Sequence, residues 1–206
     1  MLADSDTDDG SAPWASAADP PTRTFGWSDM FVDPASDPRE QGDPPVGERG
    51  ILVRYLRDYR LTLGMKCAGL NAASMARRSV EPSDMSLLGL VRHLAGVEQY
   101  WFRIVLAGQD LPRHYRSGGR GGDFAGAVPD PGVVAEAWET WRAEVAFAER
   151  LIDEAPDLEM TAEHGYGDDR VVISLREVLV HMIEEYARHM GHADLLRERI
   201  DGRVGQ

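Results

Sequence analysis

With a single cysteine, Cys67, the chain can close no internal disulfide, and alone it can supply neither a CxxC zinc site nor the ligands of an iron–sulfur cluster. A reducing compartment fits that usage. Basic residues are scarce as well: Lys and Arg total 22 against 35 acids, a net charge of −13 over 206 residues. No sequence-independent grip on nucleic acid or on an anionic membrane is expected from such a balance. Long apolar runs are missing, since none approaches the ~18 residues that a membrane span needs. The opening MLADSDTDDGSAPW has neither the basic nor the apolar region of a signal peptide. Together these absences predict a cytoplasmic protein, and the length predicts one ordinary domain.

What is present divides near residue 45. Residues 1–45 carry ten Asp/Glu against only Arg23 and Arg39, so most of the acidic excess lies there. Rich in Pro, Ser and Ala, this stretch reads as a partly disordered, irregular N-terminal extension. Within it, RTFGWSDMFVD places Phe25, Trp27, Met30 and Phe31 where residues 23–33 can dock on a folded body. A surface strap and a partner-binding segment are the two readings of that arm.

From Val46 to Gln206 the pattern is helical. Leu52, Leu56, Tyr59, Leu63 and Cys67 recur every three to four positions and predict helix 1 over about 48–69. Cys67 lies on that apolar stripe, which favours a buried structural thiol over a nucleophile. Ser83 and Asp84 precede a run through Leu87, Leu90, Leu94, Val97 and Trp101, predicting helix 2 over about 84–107. A loop of about two dozen residues follows, QDLPRHYRSGGRGGDFAGAVPDPG, long for a compact domain without a functional reason. Val134, Trp138, Trp141, Val145 and Ala148 predict helix 3 over about 132–154. Ser174 with Glu177 forms a capping-box pattern that opens helix 4, about 175–200. Four long amphipathic helices and no convincing strand predict an all-α four-helix bundle.

HMIEEYARHMGHADLLRERIDG, residues 181–202, concentrates half of the six histidines on helix 4. At 3.6 residues per turn, Glu185, His189 and His192 fall about 40°, 80° and 20° from His181. Glu185 and His189, four apart, can meet one metal ion from one helix face. Spacing alone leaves a ligand row and the wet face of a charged helix both open. Helix 2 offers a partner in His93, set among apolar residues in LVRHLAGVEQYW, though a hydrogen-bonded core histidine would look the same. Imidazole and carboxylate donors suit zinc, nickel or iron(II).

LLGLVRHLAGVEQYWF and LVHMIEEYARHMGHADLLRERIDG together resemble the DinB-like metalloenzyme superfamily, in an actinobacterial branch, over roughly residues 48–202. The resemblance implies an up-down-down-up four-helix bundle holding one divalent metal, zinc first, through one ligand from helix 2 and two from helix 4. His93 matches the first ligand position, Glu185 stands where a second histidine is frequent, and His189 matches the third. A His/Glu/His set resembles the mycothiol-dependent maleylpyruvate isomerase branch. His192 and His181 are then outer groups, His192 also a proton carrier, with a fourth ligand as the alternative for either. The implied activity is metal-dependent activation of a low-molecular-weight thiol, mycothiol, for S-transfer to, or isomerisation of, a small electrophile. Hydrolysis by metal-bound water, or a non-catalytic bundle that binds metal or a partner, are the alternatives. Relatives of this kind also imply a homodimer. Arg113, Arg116 and Arg120 in the loop read as a substrate-binding lid or as an ordinary solvated loop. Arg92 and Arg188, beside ligand positions, are further anion partners, or simply cover a helix surface.

Overall fold

The computed structural model of the chain describes residues 31–116, 121–165 and 170–205. It is mostly helical, with one small two-stranded sheet. The four long helices are α1 (Gly47–Cys67), α3 (Leu87–Glu98, continuing as a wider π-helix through Gln99–Leu106), α5 (Pro131–Glu154) and α6 (Leu175–Asp201). Two short ones, α2 (Ala72–Ala76) and α4 (Gly122–Ala125), lie in the connections on either side of α3. Helix starts are set by local chemistry. The Ser86 hydroxyl accepts from the Gly89 N–H at 3.1 Å, so α3 begins at Leu87, three residues after the start at about 84 that the sequence suggests. Asp130 caps α5 through the Gly132 N–H at 2.6 Å. Ser174 and Glu177 form the expected reciprocal box on α6, each satisfying a backbone N–H of the other.

Cross-helix pairs give the directions. Glu48 meets Arg176 at 2.8 Å at one end, and Lys66 meets Asp194 at 2.6 Å at the other, so α1 and α6 run parallel. Arg92–Glu136 at 3.5 Å and Arg103–Glu144 align α3 with α5 in the same way. Between α3 and α6 the order reverses: His93 lies beside His189, and Trp101 beside His181. The apolar stripes meet in one core in which Leu56, Leu63, Leu90, Leu94, Phe102 and Leu179 are buried. Each such side chain contributes roughly 1.5–3 kcal/mol by leaving water.

Charge is also buried in that core. Arg60 on α1 forks onto Glu98 of α3 at 2.8 and 2.7 Å, the Tyr186 hydroxyl donates to the same carboxylate at 2.8 Å, and the Trp141 indole donates to Tyr186 at 2.8 Å. One hydrogen-bonded group therefore ties all four long helices together, one to two turns from His93.

Two features depart from the sequence reading. Thr161–His164 (β1) and Val171–Ser174 (β2) pair antiparallel, with Thr161 opposite Ser174 and His164 opposite Val171, where no strand was expected. The β2 run leads straight into the cap of α6, so its apolar residues read as the end of the connection before that helix. The second helix is not a uniform α-helix either. From Gln99 its backbone opens into π geometry, and the Ala107 N–H reaches back five residues to the Phe102 carbonyl at 3.0 Å.

The end of the N-terminal arm docks. Phe31 is buried, with the Lys66 ammonium 4.2 Å and the Arg203 guanidinium 3.9 Å from its ring centre. Arg203 also donates to the Phe31 carbonyl at 2.8 Å, tying the arm to the C-terminal segment. Phe25, Trp27 and Met30 lie outside the described residues. Further along, Asp37 holds Arg39, whose guanidinium donates to Thr62 of α1 at 3.2 Å.

Candidate metal centre

His93 points from α3 toward Glu185 and His189 on α6. One donor atom from each of the three lies within 4.8 Å of the others, a spacing that could hold a metal ion. His93 Nε2 is 2.9 Å from Glu185 Oε1, and His189 Nε2 is 3.4 Å from the same oxygen. The i, i+4 spacing on α6 delivers two of these groups, and the antiparallel crossing of α3 delivers the third. Packing grades their access: His189 is 7% exposed, whereas His93 and Glu185 are only partly buried. The donor set, two imidazole nitrogens and one carboxylate oxygen, suits zinc and other borderline divalent ions.

Electrostatics couple the three. The Glu185 carboxyl is held well below the ordinary carboxylate range by hydrogen bonds with His189 and then His93. Burial alone would lower the His93 pKa, but its hydrogen bonds with Asp123 and Glu185 override that and raise it to about 9. The second of these partners comes from the long loop: Asp123 Oδ2 lies 2.8 Å from His93 Nδ1. Asp123 is itself held below its usual range, against the upward push of burial, by its bond with His93.

Beside His93 opens a cleft of about 130 Å³, lined among others by Gly96, Arg113, Arg116 and Asp123. Its wall is the loop after α3, which is fastened at several points. The His114 N–H donates to Gln99 Oε1 at 2.8 Å, Gln99 donates to the Pro112 carbonyl at 3.1 Å, and His114 Nε2 meets Glu144 at 3.1 Å. Arg92 lies 3.9 Å over the Tyr115 ring and donates to the Asp123 carbonyl at 2.9 Å, bracing the loop from both sides. Tyr115 adopts φ 56°, a left-handed backbone unusual for a non-glycine residue.

Residues 51–202 of this sequence match the family described as Mycothiol-S-transferase. The chain belongs to that family, within the DinB-like superfamily. No curated protein and no solved structure matches it. The family match spans α1 to the last turn of α6 and so contains every residue of the cluster and the cleft. Among the described residues no helix is long and apolar enough to cross a membrane.

Against this frame of the Mycothiol-S-transferase family, the residues singled out by sequence fall into distinct places. His93, Glu185 and His189 come together. His192 stands next to the cluster, its Nδ1 3.3 Å from His189 Nδ1, and burial lowers its pKa, with His189 and Arg188 adding to the effect. His181 is a turn away, with its ring 4.7 Å from Trp101. Trp101 also meets His164 of β1, at 4.8 Å, and His164 lies 2.9 Å from the Tyr100 hydroxyl. Arg113 and Arg116 line the cleft, Arg113 lying 4.1 Å over the Tyr100 ring. Arg92 is buried and committed to the loop, Arg188 is exposed on α6, and Arg120 lies outside the described residues. Cys67 is buried, which pushes its thiol up to about 12. Asp123 escaped sequence reasoning; the one signal was its place in a loop too long to be a plain connection.

Proposed function

We propose that the protein is a divalent-metal-dependent S-transferase that activates mycothiol for reaction with a small electrophile. The observation that carries this is the convergence of His93, Glu185 and His189, of which His93 also lines a cleft, in a chain of the Mycothiol-S-transferase family. On this reading residues 46–206 form a DinB-type bundle, up-down-down-up, and residues 1–45 are an extension strapped to it. The three side chains fit a divalent ion, zinc first, since two neutral imidazoles and one carboxylate are the donors of open zinc sites. When bound, such an ion lowers the pKa of a coordinated thiol and so supplies a strong nucleophile near neutral pH.

The chain's own residues then divide the remaining work. Glu185 stays ionised across the physiological range and offsets part of the positive charge. His189, 7% exposed, keeps water away from one side of the cluster. His192, its Nδ1 3.3 Å from His189 Nδ1 and its pKa depressed by burial, is neutral near pH 7 and orients the His189 ring. Arg113 and Arg116 face the cleft and supply positive charge to an anionic group on the electrophile. Cys67 takes no part, because the sulfur arrives with the cosubstrate and the buried Cys67 thiol stays protonated.

Metal analysis of the purified protein, with His93→Ala and His189→Ala beside it, tests the site: one divalent ion per chain is expected, lost in both variants. A wild type that gains no ion on reconstitution overturns the metal reading. The zinc-loaded protein is expected to consume mycothiol when offered an electrophile. No metal-dependent thiol loss across a varied electrophile panel would overturn the transferase.

A further inference from the structure

We infer that Asp123 is the positioning residue for His93: from the loop between α3 and α5 it fixes the imidazole so that Nε2 faces Glu185 and His189. The inference rests on the metal reading above. It goes beyond that reading by assigning a role to a residue and a loop outside the three-donor cluster.

An imidazole has two nitrogens, and a metal-binding histidine generally gives its second N–H to a carboxylate or carbonyl, which sets both tautomer and ring orientation. His93 has that arrangement. Nε2 is turned to the cluster at 2.9 Å from Glu185, and Nδ1 is turned outward to Asp123 at 2.8 Å. His189 is oriented alike, with Nε2 toward Glu185 and Nδ1 toward His192. Of the two outer partners, only Asp123 is a carboxylate, and only Asp123 comes from the connection between α3 and α5, on the short helix α4.

That loop is built to hold the carboxylate in place. Its other oxygen, Oδ1, accepts the Phe124 N–H at 3.0 Å, which limits rotation of the group. Arg92, one residue before His93, grips the Asp123 carbonyl at 2.9 Å and the Gly122 carbonyl at 3.4 Å. The Phe124 ring stacks on the His93 ring, centroids 5.7 Å apart and planes within 28°. It can lie there because position 89 carries no side chain: a Cβ on Gly89 would come within 2.4 Å of Phe124 Cδ1. A four-residue helix such as α4 has no stability of its own, so these contacts with α3 are what place it. Two independent contacts, the Arg92 grip and the Phe124 stack that the Gly89 notch admits, thus converge on setting one carboxylate against one imidazole nitrogen.

Zinc affinity measured by chelator competition on the full chain, with the visible spectrum of the cobalt(II)-substituted protein, tests the role in wild type, Asp123→Ala and Asp123→Asn. Asp123→Ala is expected to weaken zinc roughly 10- to 100-fold and to alter the cobalt spectrum, with far-UV helicity unchanged. Asp123→Asn, which keeps an acceptor oxygen but not the charge, is expected to fall between. Gly89→Ala, which displaces Phe124 without touching an ionisable group, is expected to weaken zinc in the same direction. Wild type that binds zinc while both Asp123 variants bind within about threefold of it, with unchanged cobalt spectra, would overturn the inference and leave the metal site standing. A wild type that binds no metal would instead overturn the reading beneath it.

Discussion

Because His93 sits between two carboxylates, the metal-free protein should lose stability as pH rises, whereas the metal-loaded protein should stay level. In the metal-free chain the imidazole is raised from its ordinary 6.5 to about 9 by Asp123 and Glu185 in spite of burial. A group whose folded pKa exceeds its unfolded value stabilises the fold fully below the unfolded pKa and loses that contribution as pH rises through the folded one. The window is therefore pH 6.5 to about 9. A shift of that size corresponds to roughly 3 kcal/mol at 1.36 kcal/mol per pH unit, an upper estimate since the side chain keeps some solvent contact. For a domain of this length, that is a fall in Tm on the order of 5–10 °C across the window.

A bound ion cancels that slope. It requires His93 Nε2 free of its proton, so binding expels a proton throughout the range in which the metal-free imidazole is charged. Apparent affinity should then rise about tenfold per pH unit up to about 9, and the metal-induced rise in Tm should grow as the metal-free Tm falls. Thermal melts of chelator-stripped and zinc-loaded protein from pH 6.5 to 9, with His93→Gln as control, read both slopes. His93→Gln should flatten the metal-free slope. A wild-type metal-free Tm that is level over this window, or no steeper than that of His93→Gln, would refute the reasoning, since His93 would then hold no excess proton in the folded state.

Three further outcomes follow from burial. Glu98→Ala should cost about 3–5 kcal/mol in urea unfolding, because it strands Arg60 in the core, whereas an Arg60→Met, Glu98→Leu pair should recover most of the loss. A single-variant loss under 1 kcal/mol would show that the pair is not desolvated as the packing indicates. Phe31→Ala should cost about 3 kcal/mol in thermal unfolding, the low end for a buried Phe, because cations as well as apolar groups surround the ring; no change would mean that the arm does not contribute to stability. Cys67 should resist thiol reagents in the folded chain and react on unfolding, and Cys67→Ala should consume mycothiol at the wild-type rate; rapid native labelling or lost turnover would contradict its structural role.

The long helices were legible because their cores repeat at helical spacing, and the ends set by side chains, at Asp130 and Ser174, sit where the sequence puts breaks. The i, i+4 pair on α6 was legible for the same reason: spacing within a helix is geometry written in the sequence. Placement between elements is not. The helical wheel puts His181 about 40° from Glu185, yet it packs on Trp101, because α3 runs against α6 and presents an aromatic ring one turn below the cluster. The π-segment was hidden because Trp101, Phe102 and Val105 satisfy an apolar stripe at either helical width. The hairpin was hidden because each strand is four residues long, too short for alternation to be told from the flank of a helix.

Asp123 shows where sequence reading stops. It lies 30 positions from His93, in a glycine-rich loop with no periodicity, and an aspartate there looks like a turn residue. Its contact depends on facts that are individually silent in sequence. A glycine on α3 leaves room for a ring, that ring covers an imidazole, and an arginine next to the imidazole reaches back for the loop carbonyl. Those three residues, Gly89, Arg92 and His93, lie within five positions on α3, so the helix that supplies the histidine also carries the features that seat its partner. Gly126 of that loop then reads as clearance: a Cβ there would come within 2.4 Å of the Arg92 guanidinium. A substitution at Gly89 or Gly126 should therefore act on His93 from outside the cluster, through the position of Asp123.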